Sequence, residues 1–292
     1  MIDPSDSRAL AELLPHPDSS TNKYRRGLCS LFAGSARYGG AAVLATRAAQ
    51  RMGAGDVRVH TTPENELLIR LAAPSAVVGT WSASVLAHLE DFAQDRPLAY
   101  VVGPGFDSYD PDVRQVTCAV LKTAAPVCVD GGALGILGTR QARALLEARA
   151  GKSLESVITP HLGEGVRLAK ALGRDEACAD PFELVRALAA ELQVVCVLKG
   201  PLTFISNGAE TVVMDRGTAA LAKAGTGDVL AGMTGALLAQ RLSAPAAAAL
   251  ATRLHAEAGR LAAEALTDIA VTPEDLIEAI PRAIMALDSA RG

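Results

Sequence analysis

Residues 28–60 read LCSLFAGSARYGGAAVLATRAAQRMGAGDVRVH. Residues 28–33 are a short apolar run, as expected of a strand buried on both faces. Gly34, Gly39 and Gly40 mark a turn around Ser35, Ala36, Arg37 and Tyr38. Residues 41–52 are rich in alanine and read as a helix, closed by Gly53 and Gly55 where a left-handed cap favours glycine. Residues 57–60 read as the next strand. Strand, helix and strand in succession make a βαβ unit, whose strands pair in parallel.

The alternation recurs along the rest of the chain. Residues 98–102 read as a strand that ends in Gly103-Pro104-Gly105, 112–123 as a helix, and 126–130 and 156–159 as strands. Residues 162–172 and 182–192 have helical character, the second with Asp180 as N-cap and Pro181 in the first turn. Residues 194–198 form an apolar strand running into Lys199-Gly200, and 203–206 and 211–215, joined by Asn207-Gly208, read as a hairpin. Helices over 229–240, 245–266 and 273–287 follow, the last capped by Thr272. The expected fold is α/β, a mostly parallel central sheet with helices on both faces. Residues 1–21 read as a leader or packing segment and 22–292 as a single domain.

Composition excludes several classes. Of 292 residues half are hydrophobic, 21% are charged, and the net charge is −4. A disordered chain has less apolar mass, and a nucleic-acid binder relying on a broad basic field has the opposite charge balance. No apolar stretch reaches the roughly 18–20 residues of a membrane helix, and the acidic, proline-bearing N-terminus does not read as a signal peptide. Cys29, Cys118, Cys128, Cys178 and Cys196 are odd in number and none is spaced as CxxC. They read as buried small hydrophobes in a reducing compartment, not as a zinc site or disulfide frame. With aromatics at only 3%, the core must be Ala, Leu and Val, with helices packed closely.

Open α/β sheets bind ligands beyond the carboxyl ends of their strands, so the residues after each strand matter most. Lys223-Ala224-Gly225-Thr226-Gly227-Asp228 opens a long helix, and its free N–H groups form an anion site. Asp228 at its mouth has two readings: a base that takes a proton from an attacking hydroxyl, or an N-cap beside turn-shaping glycines. The turn is not a Walker A loop, since no GK[ST] follows it. Lys199-Gly200-Pro201-Leu202-Thr203 follows a buried strand; Lys199 either emerges into the ligand zone or is a solvated turn residue. Thr159-Pro160-His161-Leu162-Gly163-Glu164 lies at a strand-to-helix junction, where His161 reads as a structural residue or a ligand contact. Together with 103–105, these junctions outline a cleft for a phosphate-bearing ligand.

The residues in this order resemble one family, the ADP-dependent NAD(P)H-hydrate dehydratases of the ribokinase-like superfamily. The likeness spans about residues 22–287. It rests on Lys23-Tyr24-Arg25-Arg26-Gly27, Ala33-Gly34-Ser35 with Tyr38, Gly40 and Ala41, and residues 51–55 (Arg-Met-Gly-Ala-Gly). It continues through Gly103-Pro104-Gly105, Thr159-Pro160-His161 with Gly163-Glu164, Lys199-Gly200 with Thr203, residues 224–232 with 237–240, and His255. The resemblance implies a ribokinase-like three-layer α/β/α sandwich and a cytoplasmic metabolite-repair lyase. Its substrate would be the S isomer of hydrated NADH or NADPH. ADP, or ATP, would phosphorylate the ring hydroxyl and phosphate would then leave, with magnesium accompanying the nucleotide.

Carried over by resemblance, Asp228 is the catalytic base and also touches the hydrate, alongside Ala41, Gly105 and His161, with Asp107 in the same turn as Gly105. Lys199, Gly200, Pro201, Leu202 and Thr203, with Gly225, Thr226 and Gly227, belong to the nucleotide. No metal-ligating residue is assigned. A homotetramer is implied, with a separate NAD(P)H-hydrate epimerase as pathway partner. Three positions depart from the family pattern: Asn22 stands for a histidine, Asp107 for the third glycine of the Gly-Pro-Gly-x-Gly turn, and Gly132 for the second aspartate of Asp-Ala-Asp-Ala-Leu. Two alternatives accompany this reading. One is a small-molecule kinase of the same superfamily acting on a hydroxymethyl or hydroxyethyl heterocycle; the other is a non-catalytic nucleotide-binding protein.

Overall fold

Short runs of valine, leucine and cysteine build the sheet. The computed structural model describes residues 1–81, 83–92, 96–108 and 110–291. In it β1 (Leu28–Phe32), β2 (Asp56–Thr61), β3 (Val77–Thr80), β4 (Leu98–Val102), β5 (Val127–Val129), β6 (Ser156–Ile158) and β7 (Val195–Leu198) pair in parallel. β8 (Thr203–Ser206) and β9 (Thr211–Met214) complete one edge as an antiparallel hairpin. The order across the sheet is β3-β2-β1-β4-β5-β6-β7-β8-β9. Every residue of β1, β4, β5, β6 and β7 is buried, as strands covered on both faces must be.

Successive side chains go to opposite faces. Leu31, Val59, Val101 and Val157 face one core with α2 (Gly39–Arg51), α9 (Thr226–Ala239), α10 (Ala244–Leu266) and α11 (Pro273–Asp288). The same core takes Leu10 and Ala11 of α1 (Ser7–Glu12), which packs on α11, and Ile69 of α3 (Glu66–Ala72). Phe32, Tyr100, Val102 and Ile158 face the other core. Its helices are α4 (Ala83–Phe92), α5 (Pro111–Leu121), α6 (Arg140–Ala150), α7 (Leu162–Ala171) and α8 (Pro181–Leu192). This is the three-layer α/β/α sandwich expected from the alternating elements.

Small residues set the spacing of the first layer. A Cβ on Gly232 of α9 would sit 2.2 Å from the Ala45 carbonyl oxygen of α2, so the two backbones nearly touch. That contact brings the start of α2 beside the start of α9. Helix α9 begins three residues earlier than its apolar pattern suggests. Gly225 takes the N-cap position at φ +99°, so Thr226, Gly227 and Asp228 form its first turn.

Candidate active site

The chain leaves β1 toward β2 and leaves β4 toward β5, in opposite directions across the sheet. Such a reversal opens a crevice beyond the strand ends. The Gly34 N–H, after β1, donates to the Pro104 carbonyl, after β4, at 2.8 Å. Gly105 has φ +68°, and a Cβ there would lie 2.6 Å from both the Ala41 Cβ and the Tyr38 carbonyl oxygen. Ala41 and Gly105, far apart in sequence, are thereby neighbours at one end of the crevice. Asp107 follows in the same turn, half-buried. The turn also leans on β5's exit: a Cβ on Gly132 would meet the Phe106 carbonyl oxygen at 2.4 Å. Phe106 backbone thus fills the space in which the family's second aspartate would begin.

The other end of the crevice is a cluster of charges. Asp130 leaves β5 with only 3% of its surface exposed. Its Oδ1 accepts hydrogen bonds from the Thr159 hydroxyl at 2.7 Å and the Lys199 ammonium at 2.8 Å. Lys199 emerges from β7, its N–H donating to the Pro160 carbonyl at 2.8 Å. Its ammonium would be 3.0 Å from a Cβ on Gly227, so it lies over the first turn of α9. Burial alone would lower the Lys199 pKa; Asp130, Glu164 and Asp228 around it more than offset this and raise it.

Asp228 sits in that same first turn. Gly225 holds the capping position, so Asp228 is not the N-cap. Burial, then the negative charge of Asp130, pushes its carboxyl up to about 7; Lys199 works against them and Glu164 with them. A carboxyl poised near neutrality at a helix N-terminus is suited to accept a proton there. Glu164 is also raised, first by burial.

His161 caps α7. Its Nδ1 accepts from the Gly163 and Glu164 N–H groups at 3.0 and 3.3 Å, and the Glu164 carboxylate accepts from the His161 N–H at 2.8 Å. The cap places the ring proton on Nε2, and the ring is more than half exposed at the rim. The turn from Lys199 to Thr203 forms the rim beyond β7, with Gly200, Pro201 and Leu202 exposed. The Thr203 hydroxyl reaches back to the Gly200 carbonyl at 3.5 Å. Thr226 is tied inward, its hydroxyl donating to the Leu221 and Lys223 carbonyls at 2.8 and 2.9 Å. Gly225 and Gly227 therefore offer backbone to a ligand, while Thr226 braces the loop.

Three groups of this site escape the motif reading as functional residues. Asp130 directly follows an apolar strand, as Lys199 does, and that parallel is the signal it offered. Glu164 looks like a routine helix-start acid. His255, buried on α10, donates from Nε2 to the Thr226 carbonyl at 2.9 Å, and burial holds its pKa down to about 4. It is a neutral brace for the anion turn.

The sequence model of the NAD(P)H-hydrate dehydratases matches residues 29–282. The chain belongs to that family. Among curated relatives, the bifunctional NAD(P)H-hydrate repair enzyme Nnr of Mycobacterium tuberculosis is 37% identical over 236 residues, covering 80% of this chain and 46% of the relative. The Nnr of Synechocystis is 33% identical over 265 residues, covering 88% and 48%. The chain thus spans about half the length of these family members. Among solved structures, the ADP/ATP-dependent NAD(P)H-hydrate dehydratase of Bacillus subtilis, co-crystallised with ATP and magnesium, superposes with TM-score 0.79 at 28% identity, covering 96% and 97% of the two chains. A ribokinase-like superfamily protein of Enterococcus faecalis gives TM-score 0.75 at 25% identity, covering 97% and 95%. The ribokinase-like fold expected from the motifs is therefore the fold of this family member.

Proposed function

We propose that this protein dehydrates the S isomer of hydrated NADH or NADPH, with ADP or ATP as phosphoryl donor. The observation that carries the reading is the Asp228 carboxyl in the first turn of α9, free of the capping role and beside the Lys199 ammonium. With ADP, Asp228 takes the proton of the ring hydroxyl as that oxygen bonds to the terminal phosphorus; the bond from phosphorus to the bridging oxygen breaks and AMP leaves. The carbon–oxygen bond then breaks with phosphate as leaving group, driven by the ring nitrogen's lone pair, and loss of the neighbouring carbon's proton restores the dihydropyridine. Hydroxide would leave poorly, which is why phosphorylation comes first. A positioned base supplies roughly 10²–10⁴-fold; the N–H groups of Gly225 and Gly227 and the Lys199 ammonium supply fixed positive charge for the phosphoryl oxygens.

The hydrate's place is beside Ala41, Gly105, Asp107 and His161, and the nucleotide's is along Lys199 to Thr203 and Gly225 to Gly227. Among the described residues no group of three or more acidic, histidine or cysteine side chains is arranged to hold a metal. A magnesium ion carried on the nucleotide's own phosphates fits that, since magnesium keeps several waters and seldom needs a protein cage. It would neutralise phosphate charge. The Bacillus subtilis relative, crystallised with ATP and magnesium, supports nucleotide and ion together.

We also propose a cytoplasmic homotetramer supplied with substrate by a hydrate epimerase. The bifunctional mycobacterial relative supports the pairing of two activities. No helix among the described residues is long and apolar enough to cross a membrane. The test is freshly prepared hydrate with ADP and magnesium. Reduced-nicotinamide absorbance should appear with wild type, and binding of ADP without any such appearance would overturn the reading.

A further inference from the structure

Asp130 has no part in the steps above, yet it is the most buried charge at the crevice. It stands at the carboxyl end of β5, between β4 and β6, with its Oδ1 shared by the Thr159 hydroxyl and the Lys199 ammonium. Among the described residues Asp130 alone hydrogen-bonds that ammonium, at the end of a flexible four-carbon side chain lying over Gly227. We infer that Asp130 is a positioning residue: it fixes the Lys199 ammonium at the mouth of α9, where the transferred phosphoryl group and the Asp228 carboxylate meet. The inference rests on the proposed dehydration only for what passes through that point; the juxtaposition itself does not depend on it.

Two features make this more than a structural ion pair. A buried pair is weak evidence of stability, because desolvation offsets much of the attraction. Here the pair is also placed within electrostatic reach of a third group, and each partner acts on it with opposite sign. Asp228 faces Asp130 from β5, Lys199 from β7 and Glu164 from α7. His255, on α10, lies behind the same turn and is held neutral by burial. Asp130 raises the Asp228 carboxyl and Lys199 lowers it. Removing Lys199's charge must therefore raise the pH at which Asp228 ionises, and it must do so less in a chain without Asp130, where the ammonium is no longer held at that point.

The test compares D130N, K199M, K199R and the double variant D130N/K199M with wild type. Aspartate-labelled protein is followed by carbon NMR to titrate Asp228, assigned by its loss in D228N. Hydrate turnover with ADP is measured in parallel. K199M should move the Asp228 midpoint up by about one pH unit on the wild-type background and by less than about a third of that on the D130N background. K199R, which keeps the charge, should stay near wild type. Turnover should fall roughly 10–10²-fold in D130N through kcat, with KM for ADP changed less than about threefold. A K199M effect on the midpoint that is as large without Asp130 as with it, or absent on both backgrounds, overturns the inference. So does a loss in D130N confined to KM. Should D130N not fold, an unchanged midpoint in K199M is by itself contrary. A wild type that turns over no hydrate, in a protein whose K199M effect on the midpoint depends on Asp130, would overturn the proposed reaction and leave the positioning role standing.

Discussion

Replacing Asp228 by asparagine should make the protein more stable and less active. The Asp228 carboxyl is pushed from 3.8 up to about 7 in the folded chain, first by burial. A tenfold change in a proton's binding constant is worth about 1.4 kcal/mol, so the ceiling is about 4 kcal/mol; solvent reaches part of this side chain, which puts the expected effect at about 2–4 kcal/mol. The sign follows from proton counting. Between about pH 4 and pH 7 the unfolded chain has released this proton and the folded chain still holds it, so stability falls as pH rises through that window. Above about pH 7 the full penalty is present, and below about pH 4 it is absent. Asparagine has almost the same shape and never ionises. In D228N the melting temperature at pH 8, without nucleotide, should therefore rise by about 3–7 °C over wild type, and at pH 4 the two should nearly coincide. Hydrate turnover should drop by roughly 10²–10⁴-fold. Scanning calorimetry across pH 4–8 reads the difference. A gap that does not widen with pH, or a variant less stable than wild type at pH 8, would refute the idea that this carboxylate is held at a cost to the fold.

Gly132→Asp restores the family's side chain but drives a Cβ to 2.4 Å from the Phe106 carbonyl oxygen. Backbone must move, and chemical denaturation should show a loss of about 1–3 kcal/mol. Arg149 is buried and donates to the Ser156 hydroxyl and to the Thr123, Ala125 and Glu155 carbonyls at 2.7–2.9 Å. Lysine cannot reproduce that planar fork, so Arg149→Lys should cost about 2–4 kcal/mol by the same assay while leaving KM values in place. The acid limb of kcat/KM for the hydrate should have its midpoint near the Asp228 pKa of about 7, rising with pH, because the ionised form is the base.

Much of the fold is legible because its strands are short, apolar and followed by glycine. Residues 28–33, 98–102 and 194–198 sit where β1, β4 and β7 are found, and Asp180 and Thr272 cap the helices that follow them. The stretches 62–97 and 131–155 are not legible. There α3 leaves Leu67 and Leu71 exposed, and edge strand β3 leaves Val77 exposed, so apolar spacing no longer reports which side is buried. Within the site, the glycine turn at 225–228 and Lys199 announce themselves by following the rule that ligands bind at strand ends. Asp130 does not, because its meaning lies in a partner 69 positions away. Asp107 and Gly132 read as two separate departures in sequence. In the structure the turn carrying Asp107 occupies the space above Gly132, which makes them one local rearrangement.

Phosphoryl transfer through Asp228 is tested most directly by product stoichiometry. With the S hydrate and ADP, wild type should form AMP, phosphate and reduced dinucleotide in equal amounts, and D228N should form all three roughly 10²–10⁴-fold more slowly. AMP formed alongside a stable phosphorylated alcohol, or reduced dinucleotide formed by D228N as fast as by wild type, would contradict it.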